Sequence, residues 1–173
     1  MRRTLSALLC CWLLQFAGGA IAAGQQMPAP APVEGASLAE TIQWLDSRLV
    51  RYGKMRHYDP FGPSEHKYYD TRFEYLRADG CVIRYRHSAM RGDDEHSANL
   101  ADLDPAQVRA EVPKNWKGGR VVFSSVAGRS AITYHTRGGK ARRYHTDAFA
   151  VSDQAALDGI AEALRRAISS CRR

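Results

Sequence analysis

The sequence predicts an α+β fold: an N-terminal helix, five or six antiparallel strands in one curled sheet, and a C-terminal helix packed on that sheet. Two observations lead to this prediction. Apolar residues recur at helical spacing in 38–52 and 153–171, whereas the stretch between them consists of short β-rich runs separated by turn residues. Strands and helices do not alternate, so the sheet is expected to be antiparallel.

The first helix has a start signal and a stop signal. Ser37 and Glu40 have the spacing of a capping box, in which each side chain accepts a hydrogen bond from an otherwise unpaired backbone N–H. Gly53 suits the position after the last turn, because glycine adopts the left-handed conformation at low cost. The apolar stripe between these signals consists of Leu38, Ile42, Leu45 and Leu49.

Residues 67–77 and 81–87 predict a β-hairpin that turns near Asp79 and Gly80. Two registers are open, one with a two-residue turn and one with a three-residue loop. The three-residue loop is preferred because it gathers the apolar side chains on one face. That face would carry Phe73, Tyr75, Cys81, Ile83 and Tyr85, with Arg72, Glu74, Arg84 and Arg86 on the other.

The middle of the chain gives weaker signals. The expected elements are an irregular segment at 54–66, a polar loop at 88–96, a short strand or extended piece at 97–103, a short helical turn capped by Asp104, a weak strand at 108–112, a hairpin of 120–126 with 131–136, and a last strand at 141–151. With the first hairpin they supply the five or six strands of the sheet.

The last helix and two cysteines predict a long-range contact. Ser152 is the expected N-cap. The apolar stripe of the helix consists of Leu157, Ile160, Ala161, Leu164, Ile168 and Cys171. Cys81 and Cys171 therefore both face the core, and an even pair of cysteines in an oxidising compartment most simply forms one disulfide. The bond would close a loop of about 90 residues and hold the helix against the sheet.

This order of elements is similar to that of pleckstrin-homology-like domains, in which a C-terminal helix closes a small curled sheet. The similarity lies in element order alone. No motif accompanies it, so it places no functional residue on this chain.

Residues 1–23 have the composition of a cleavable secretory signal peptide. Two arginines precede an apolar run of about 13 residues, which is shorter than the roughly 20 that a membrane-spanning helix requires. Ala20 and Ala22 then match the small-residue pattern that signal peptidase accepts. We therefore expect the mature protein to be periplasmic or secreted, and an uncleaved anchor is the alternative.

Two segments follow the leader. Residues 24–36 are rich in proline and alanine without an apolar period, which predicts a flexible, polyproline-like spacer. Residues 37–173 are long enough for a single α+β domain with its own core and too short for two.

The chain is basic, with a formal charge of +7 that becomes +5 when the two arginines of the leader are removed. A rich arginine content can reflect genome base composition, so it does not by itself indicate nucleic-acid binding. A local cluster is more informative. Its basic residues are Arg120, Arg129, Arg137, Lys140, Arg142 and Arg143, and its aromatic residues are Tyr134 and Tyr144. Such a patch attracts anionic polymers or acidic proteins, although hairpin tips are ordinarily polar.

No motif identifies a catalytic or cofactor site. His135, His145 and Asp147 could face one another on adjacent strands and form a three-ligand metal site, with exposed strand histidines as the ordinary alternative. The sequence contains no Gly-x-Ser-x-Gly motif. No cofactor is expected, and a non-catalytic protein is favoured over an enzyme.

Three functional hypotheses follow from these features. The leading one is an exported, non-catalytic interaction domain that engages a protein partner in the cell envelope, in the manner of inhibitors or immunity-type proteins. The second is a binder of anionic envelope polymers or nucleic acid through the basic end of the hairpin. The third is an envelope hydrolase, which would need a pocket with convergent titratable groups. The sequence does not predict the oligomeric state.

Overall fold

A computed structural model describes residues 35–58, 68–89, 92–114, 116, 118–127, 129–135 and 140–172. The predicted leader and almost all of the predicted spacer lie outside the described residues. The helices are α1 (Leu38–Tyr52) and α2 (Gln154–Cys171). The strands are β1 (Lys54–Tyr58), β2 (Tyr68–Asp79), β3 (Val82–Ala89), β4 (Gly92–Asn99), β5 (Arg109–Glu111), β6 (Gly119–Ser124), β7 (Ile132–His135), β8 (Ala141–Tyr144) and β9 (Thr146–Val151).

The strands form two antiparallel sheets. The large sheet has six strands in the order β1-β2-β3-β4-β7-β8, and the small sheet has three in the order β5-β6-β9. The predicted α+β architecture, with a helix at each end of a run of antiparallel strands, is confirmed. The division into two sheets was not predicted.

Helix α1 begins and ends where the sequence indicated. The Ser37 hydroxyl accepts a hydrogen bond from the Glu40 N–H, and the Glu40 carboxylate accepts one from the Ser37 N–H, so the capping box is present. At the other end the Gly53 carbonyl accepts a hydrogen bond from the Phe73 N–H at 2.6 Å. A side chain at Gly53 would collide with the Leu49 carbonyl oxygen and with Cβ of Phe73, so this close approach of α1 to β2 requires glycine.

The first hairpin adopts neither of the two predicted registers. Its turn consists of Gly80 and Cys81, and Asp79 pairs with Val82. Gly80 has φ +54°, a conformation that glycine adopts without strain. The turn therefore lies one residue further along the chain than either prediction assumed.

A β-bulge explains why Tyr75 does not lie on the predicted face. The pairing of β2 with β3 shifts between Phe73 and Tyr75. Because of this extra residue, Phe73 and Leu76 both face the core although they are three positions apart. Tyr75 lies on the opposite face, beside Arg86, and not on the apolar face where the sequence placed it.

Two segments that were expected to be irregular contain strands. Residues 54–58 form β1, which pairs with β2. The polar loop expected at 88–96 is instead the end of β3 and much of β4. Strand β4 has few residues of high strand propensity, but it is paired on both sides, by β3 and β7, and this pairing overrides local preference.

The second predicted hairpin does not form. Strand β6 pairs with β5 and β9, whereas β7 pairs with β4 and β8, so residues 125–131 cross from one sheet to the other. Val121, Val122 and Phe123 of β6 are all buried, which suits a central strand covered on both faces. The last predicted strand is divided in the same way, because His145 separates β8 from β9 in a different sheet.

The core lies between the inner face of the large sheet and a cover formed by α1, α2 and the small sheet. Aromatic rings join the two sheets at its centre. Phe149 of the small sheet lies 5.1 Å from Tyr85 and 5.6 Å from Phe73 of the large sheet, in edge-to-face geometry.

Helix α2 is held at both ends. Asp153, and not Ser152 as predicted, is its N-cap and accepts a hydrogen bond from the Ala155 N–H. Ser152 instead donates two hydrogen bonds to the Tyr52 carbonyl. At the other end the predicted disulfide Cys81–Cys171 is confirmed, with Cα atoms 5.7 Å apart. Among the described residues, no helix combines the length and apolar character needed to cross a membrane.

The disulfide should be a major source of stability. We expect the double variant Cys81→Ser/Cys171→Ser to lose about 2–5 kcal/mol of unfolding free energy, because the cross-link restricts the unfolded chain over a separation of 90 residues. Urea unfolding of both proteins measures the difference. Wild-type protein with its disulfide reduced serves as control and should match the variant; equal unfolding midpoints for oxidised wild type and variant would contradict the prediction.

Candidate functional site

The outer face of the large sheet, opposite the core, carries an ordered line of basic side chains. Consecutive residues of a strand point to opposite faces, so the burial of Ile83 and Tyr85 turns Arg84 outward. Arg77 and Arg143, which strand register places on the same face, are exposed like Arg84.

The register of the strands aligns five of these outward residues across the sheet. The line runs from β2 through β3, β4 and β7 to β8, and we call it the basic row. It consists of Arg77, Arg84, Ser97, Thr133 and Arg143. Neighbouring strands are about 4.8 Å apart, so the row spans about 19 Å.

The basic row contains an unfavourable pair. Arg77 lies directly opposite Arg84, and like charges at opposed positions of two strands destabilise a sheet. Arg77 places its guanidinium 4.9 Å from the centre of the Tyr75 ring, which offsets part of this cost. Within the described residues neither Arg84 nor Arg143 has a carboxylate within 4 Å. The positive charge of Arg84 helps to lower the pKa of Glu95 from a greater distance, so the fold neutralises the row only in part.

A groove of about 500 Å³ lies at the β8 end of the row. Its lining is rich in hydrogen-bond donors and consists of Val82, Ser97, Ala98, Asn99, Asp102, Arg129, Ser130, Ala131, Thr133 and Arg143. Asp102, the one acidic residue in this lining, accepts a hydrogen bond from Arg129 at 2.9 Å. The groove is suited to an anionic group that needs several donors.

The next row of outward residues is, by contrast, internally neutralised. The Tyr75 hydroxyl donates to the Glu95 carboxylate at 2.7 Å, and Arg86 lies 3.5 Å from Glu95 and 3.9 Å from Glu74. The hydrogen bond from Tyr75 and the neighbouring Arg86 lower the pKa of Glu95, so this carboxylate stays ionised. These groups stabilise one another, whereas the basic row has partners to gain.

The structure brings together only part of the predicted basic cluster. Arg129 and Arg143 both line the groove. Arg142 is exposed on the other face of β8, in register with Tyr134. Arg120 belongs to the small sheet, where it is 2.7 Å from Glu111. Lys140 is exposed beside β8, and Arg137 lies outside the described residues.

The two tyrosines of the predicted cluster do not lie in the groove. Their ring centres are 6.2 Å apart, and Tyr134 also contacts His96 edge-to-face. Strand register places Tyr134 and Tyr144 away from the outer face that carries Thr133 and Arg143. They are therefore separate from the basic row.

The hypothesised metal site of His135, His145 and Asp147 is not assembled. His135 is exposed on β7, and the Nδ1 atom of His145 lies 2.6 Å from the Arg129 carbonyl. Asp147 points instead toward Tyr85 and His96. Across the residues that can be described, no group of three potential ligands is placed to hold a metal ion.

Asp147 forms a polar connection between the two sheets. One of its carboxylate oxygens, Oδ2, is 2.6 Å from the Tyr85 hydroxyl and 2.6 Å from Nδ1 of His96, and Oδ1 accepts the Ala148 N–H. Burial alone would raise the pKa of Asp147, but the hydrogen bond and charge of His96 and the other two donors lower it overall. Burial and the nearby Asp147 charge raise the pKa of Tyr85 well above its ordinary value.

This connection has the chemistry of an oriented base but lacks a reactive neighbour. An aspartate that holds one ring nitrogen of a histidine leaves the other free for proton transfer. Among the described residues no serine, threonine or cysteine hydrogen-bonds to His96. The arrangement joins the sheets, and the surface chemistry of the basic row stands apart from it.

No protein-family model, no curated protein and no solved structure matches this chain. Function must therefore be argued from the chemistry of the basic row and its groove.

Sequence reasoning missed the basic row for an identifiable reason. Strand alternation correctly placed Arg84 on the outer face. The row could not be assembled, however, because Ser97 was predicted to start a short strand after a loop, not to lie within a longer strand paired on both sides, and because residues 131–136 were paired with the wrong strand. The alternation of buried and outward residues was the available signal, but the order of strands in the sheet was not.

Replacing Asp147 should lower the free energy of unfolding by an amount that depends on pH. We expect Asp147→Asn to cost about 1–3 kcal/mol near neutral pH, because a buried hydrogen-bond network loses its charged acceptor. The folded-state pKa of Asp147 is lowered, so its contribution is present above its unfolded pKa of about 3.9 and is lost as pH falls toward the folded value.

Urea unfolding between pH 7 and pH 2 tests this expectation. The difference in unfolding free energy between wild type and Asp147→Asn should be largest above about pH 5 and should shrink in acid. Other carboxylates contribute equally to both proteins and cancel in the difference. A difference that stays constant with pH would show that Asp147 does not supply this dependence.

Proposed function

We propose that this protein is an exported, non-catalytic interaction domain that binds an acidic protein partner on the outer face of its large sheet. The observation that carries the proposal is the basic row, in which strand register aligns three exposed arginines with Ser97 and Thr133 across the outer face. A fold retains such a repulsive arrangement at a cost in stability. An acidic partner would relieve that cost on binding.

The make-up of the groove favours a protein over a nucleic acid. Single-stranded nucleic acids are bound largely by stacking of bases on aromatic side chains, and the described lining of the groove contains no aromatic residue. The lining combines arginine with hydroxyl groups, an amide and the apolar Val82, which is 39% exposed. This mixture resembles the polar surface of a protein interface more than a uniform electrostatic track.

The compartment belongs to the same proposal. The Cys81–Cys171 disulfide is consistent with an oxidising environment, where such bonds persist. The N-terminal sequence supports export through a cleaved leader. The acidic partner would then be a protein of the cell envelope or of the surroundings.

A pull-down with matched variants tests the proposal. The full chain is expressed with its own leader, recovered from the envelope, and its bound material is washed at low and then high salt. Arg84→Glu/Arg143→Glu reverses two charges of the basic row. Arg51→Glu/Lys114→Glu is the matched control, because it reverses the same number of charges at exposed positions outside the large sheet.

We expect a discrete protein to survive the salt wash with wild type and with Arg51→Glu/Lys114→Glu, and to be at least about tenfold reduced with Arg84→Glu/Arg143→Glu. Loss of complementary charge slows association and leaves the remaining charges unpaired. Capture that is the same for all three proteins would overturn the proposal. Recovery of only nucleic acid or lipopolysaccharide that washes off steeply with salt would also overturn it.

A further inference from the structure

The two edges of the large sheet differ in whether their outward-directed backbone groups are hydrogen-bonded. Strand β2 extends beyond the end of β1, and α1 caps the exposed edge. The Phe73 N–H donates to the Gly53 carbonyl, and the Leu76 N–H donates to the Asp46 carboxylate, both at 2.6 Å. Two donors that β1 does not reach are therefore bonded to α1 or to the residue that caps it.

Strand β8, at the other end of the sheet, has no such cover among the described residues. It pairs only with β7, and residues 141–144 are all exposed. In an antiparallel strand, alternate residues direct their N–H and C=O groups toward opposite neighbours. No hydrogen bond from the described residues reaches the outward-directed groups of β8. The edge is an available template for one more strand.

The charge of β8 determines which strand could add there. Arg143 projects on the outer face and Arg142 on the opposite face, and Lys140 directly precedes the strand. A second copy of β8 would bring these arginines against one another, and like charges on adjacent strands are unfavourable. An extended segment with acidic side chains on both faces would instead meet a basic residue on each.

We propose that the acidic partner docks by strand addition, with an extended acidic segment pairing along the free edge of β8. This inference rests on the proposed function and specifies its mode of recognition. The backbone of the segment would supply affinity without sequence preference, and its acidic side chains would supply the selection. On the outer face the acidic side chains would lie next to Arg143, at the end of the basic row, and would reach the groove.

A pair of synthetic peptides separates strand addition from simple charge attraction. The first is an eight-residue peptide in which two glutamates are followed by a threonine and a valine, and this block of four is repeated once. Adjacent glutamates point to opposite faces of a strand, so both faces carry acid. The second has the same sequence with N-methyl groups on two consecutive central residues. Consecutive methyl groups remove an N–H from each edge of the peptide and leave its charge unchanged.

Binding of each peptide to the full mature chain is followed by the backbone amide signals of residues 140–144. We expect the first peptide to shift these signals and to slow their hydrogen exchange. The methylated peptide should bind at least tenfold more weakly. Arg142→Glu/Arg143→Glu should abolish binding of the first peptide, because it reverses the charge on both faces of the edge.

The outcomes distinguish this inference from the proposed function. Equal binding of the two peptides would overturn strand addition and leave acidic recognition standing. No binding of either peptide, together with an arginine-dependent pull-down, would also overturn strand addition alone. If neither peptide binds and Arg84→Glu/Arg143→Glu leaves capture in the pull-down unchanged, both strand addition and the proposed function are overturned.

Discussion

The large sheet has one apolar face, and the rest of the architecture follows from the need to cover it. Helix α1, helix α2 and the small sheet all lie on this inner face, where Phe73, Ile83 and Tyr85 are almost fully buried. Burial of such side chains is the main favourable contribution to folding. The Cys81–Cys171 bond then ties the last helix to the first hairpin. The described covering elements pack against this apolar face, and the exposed arginines of the outer face are the surface on which we propose binding.

Charged groups on the two faces of the large sheet differ in whether they have close bonding partners. On the inner side, Asp147 is bonded by Tyr85, by His96 and by a backbone N–H, so that a charge is held between the sheets with its donors in place. On the outer side, Arg84 and Arg143 have no carboxylate partner among the described residues. A satisfied network adds stability and order, whereas a charged group without a partner contributes little to the fold. This contrast supports a structural role for Asp147 and the proposed binding role for the basic row.

The parts that sequence predicted depend on local periodicity, and the parts that it missed depend on pairing between distant residues. The capping box at Ser37, the apolar stripe of α2 and the disulfide all follow from spacing along the chain. The bulge before Tyr75 changes which side chains face inward, and no local pattern announces it. Strand β4 was taken for a loop because it is polar, although neighbours on both sides hold it. The basic row is defined by the order and register of five strands, so it could not be predicted before the sheet topology was known.

Placing the arginines on a sheet, and not on a loop, has a consequence for binding. Strand pairing fixes the spacing of Arg77, Arg84 and Arg143 before any partner arrives, so less conformational entropy is lost when the partner binds. The repulsion between Arg77 and Arg84 is also present before binding and is relieved when acidic groups approach. Both effects lower the free energy of the bound state relative to the free one. The free edge of β8 extends the same fixed spacing by one strand, which makes the end of the row at Arg143 the place where charge and backbone recognition meet.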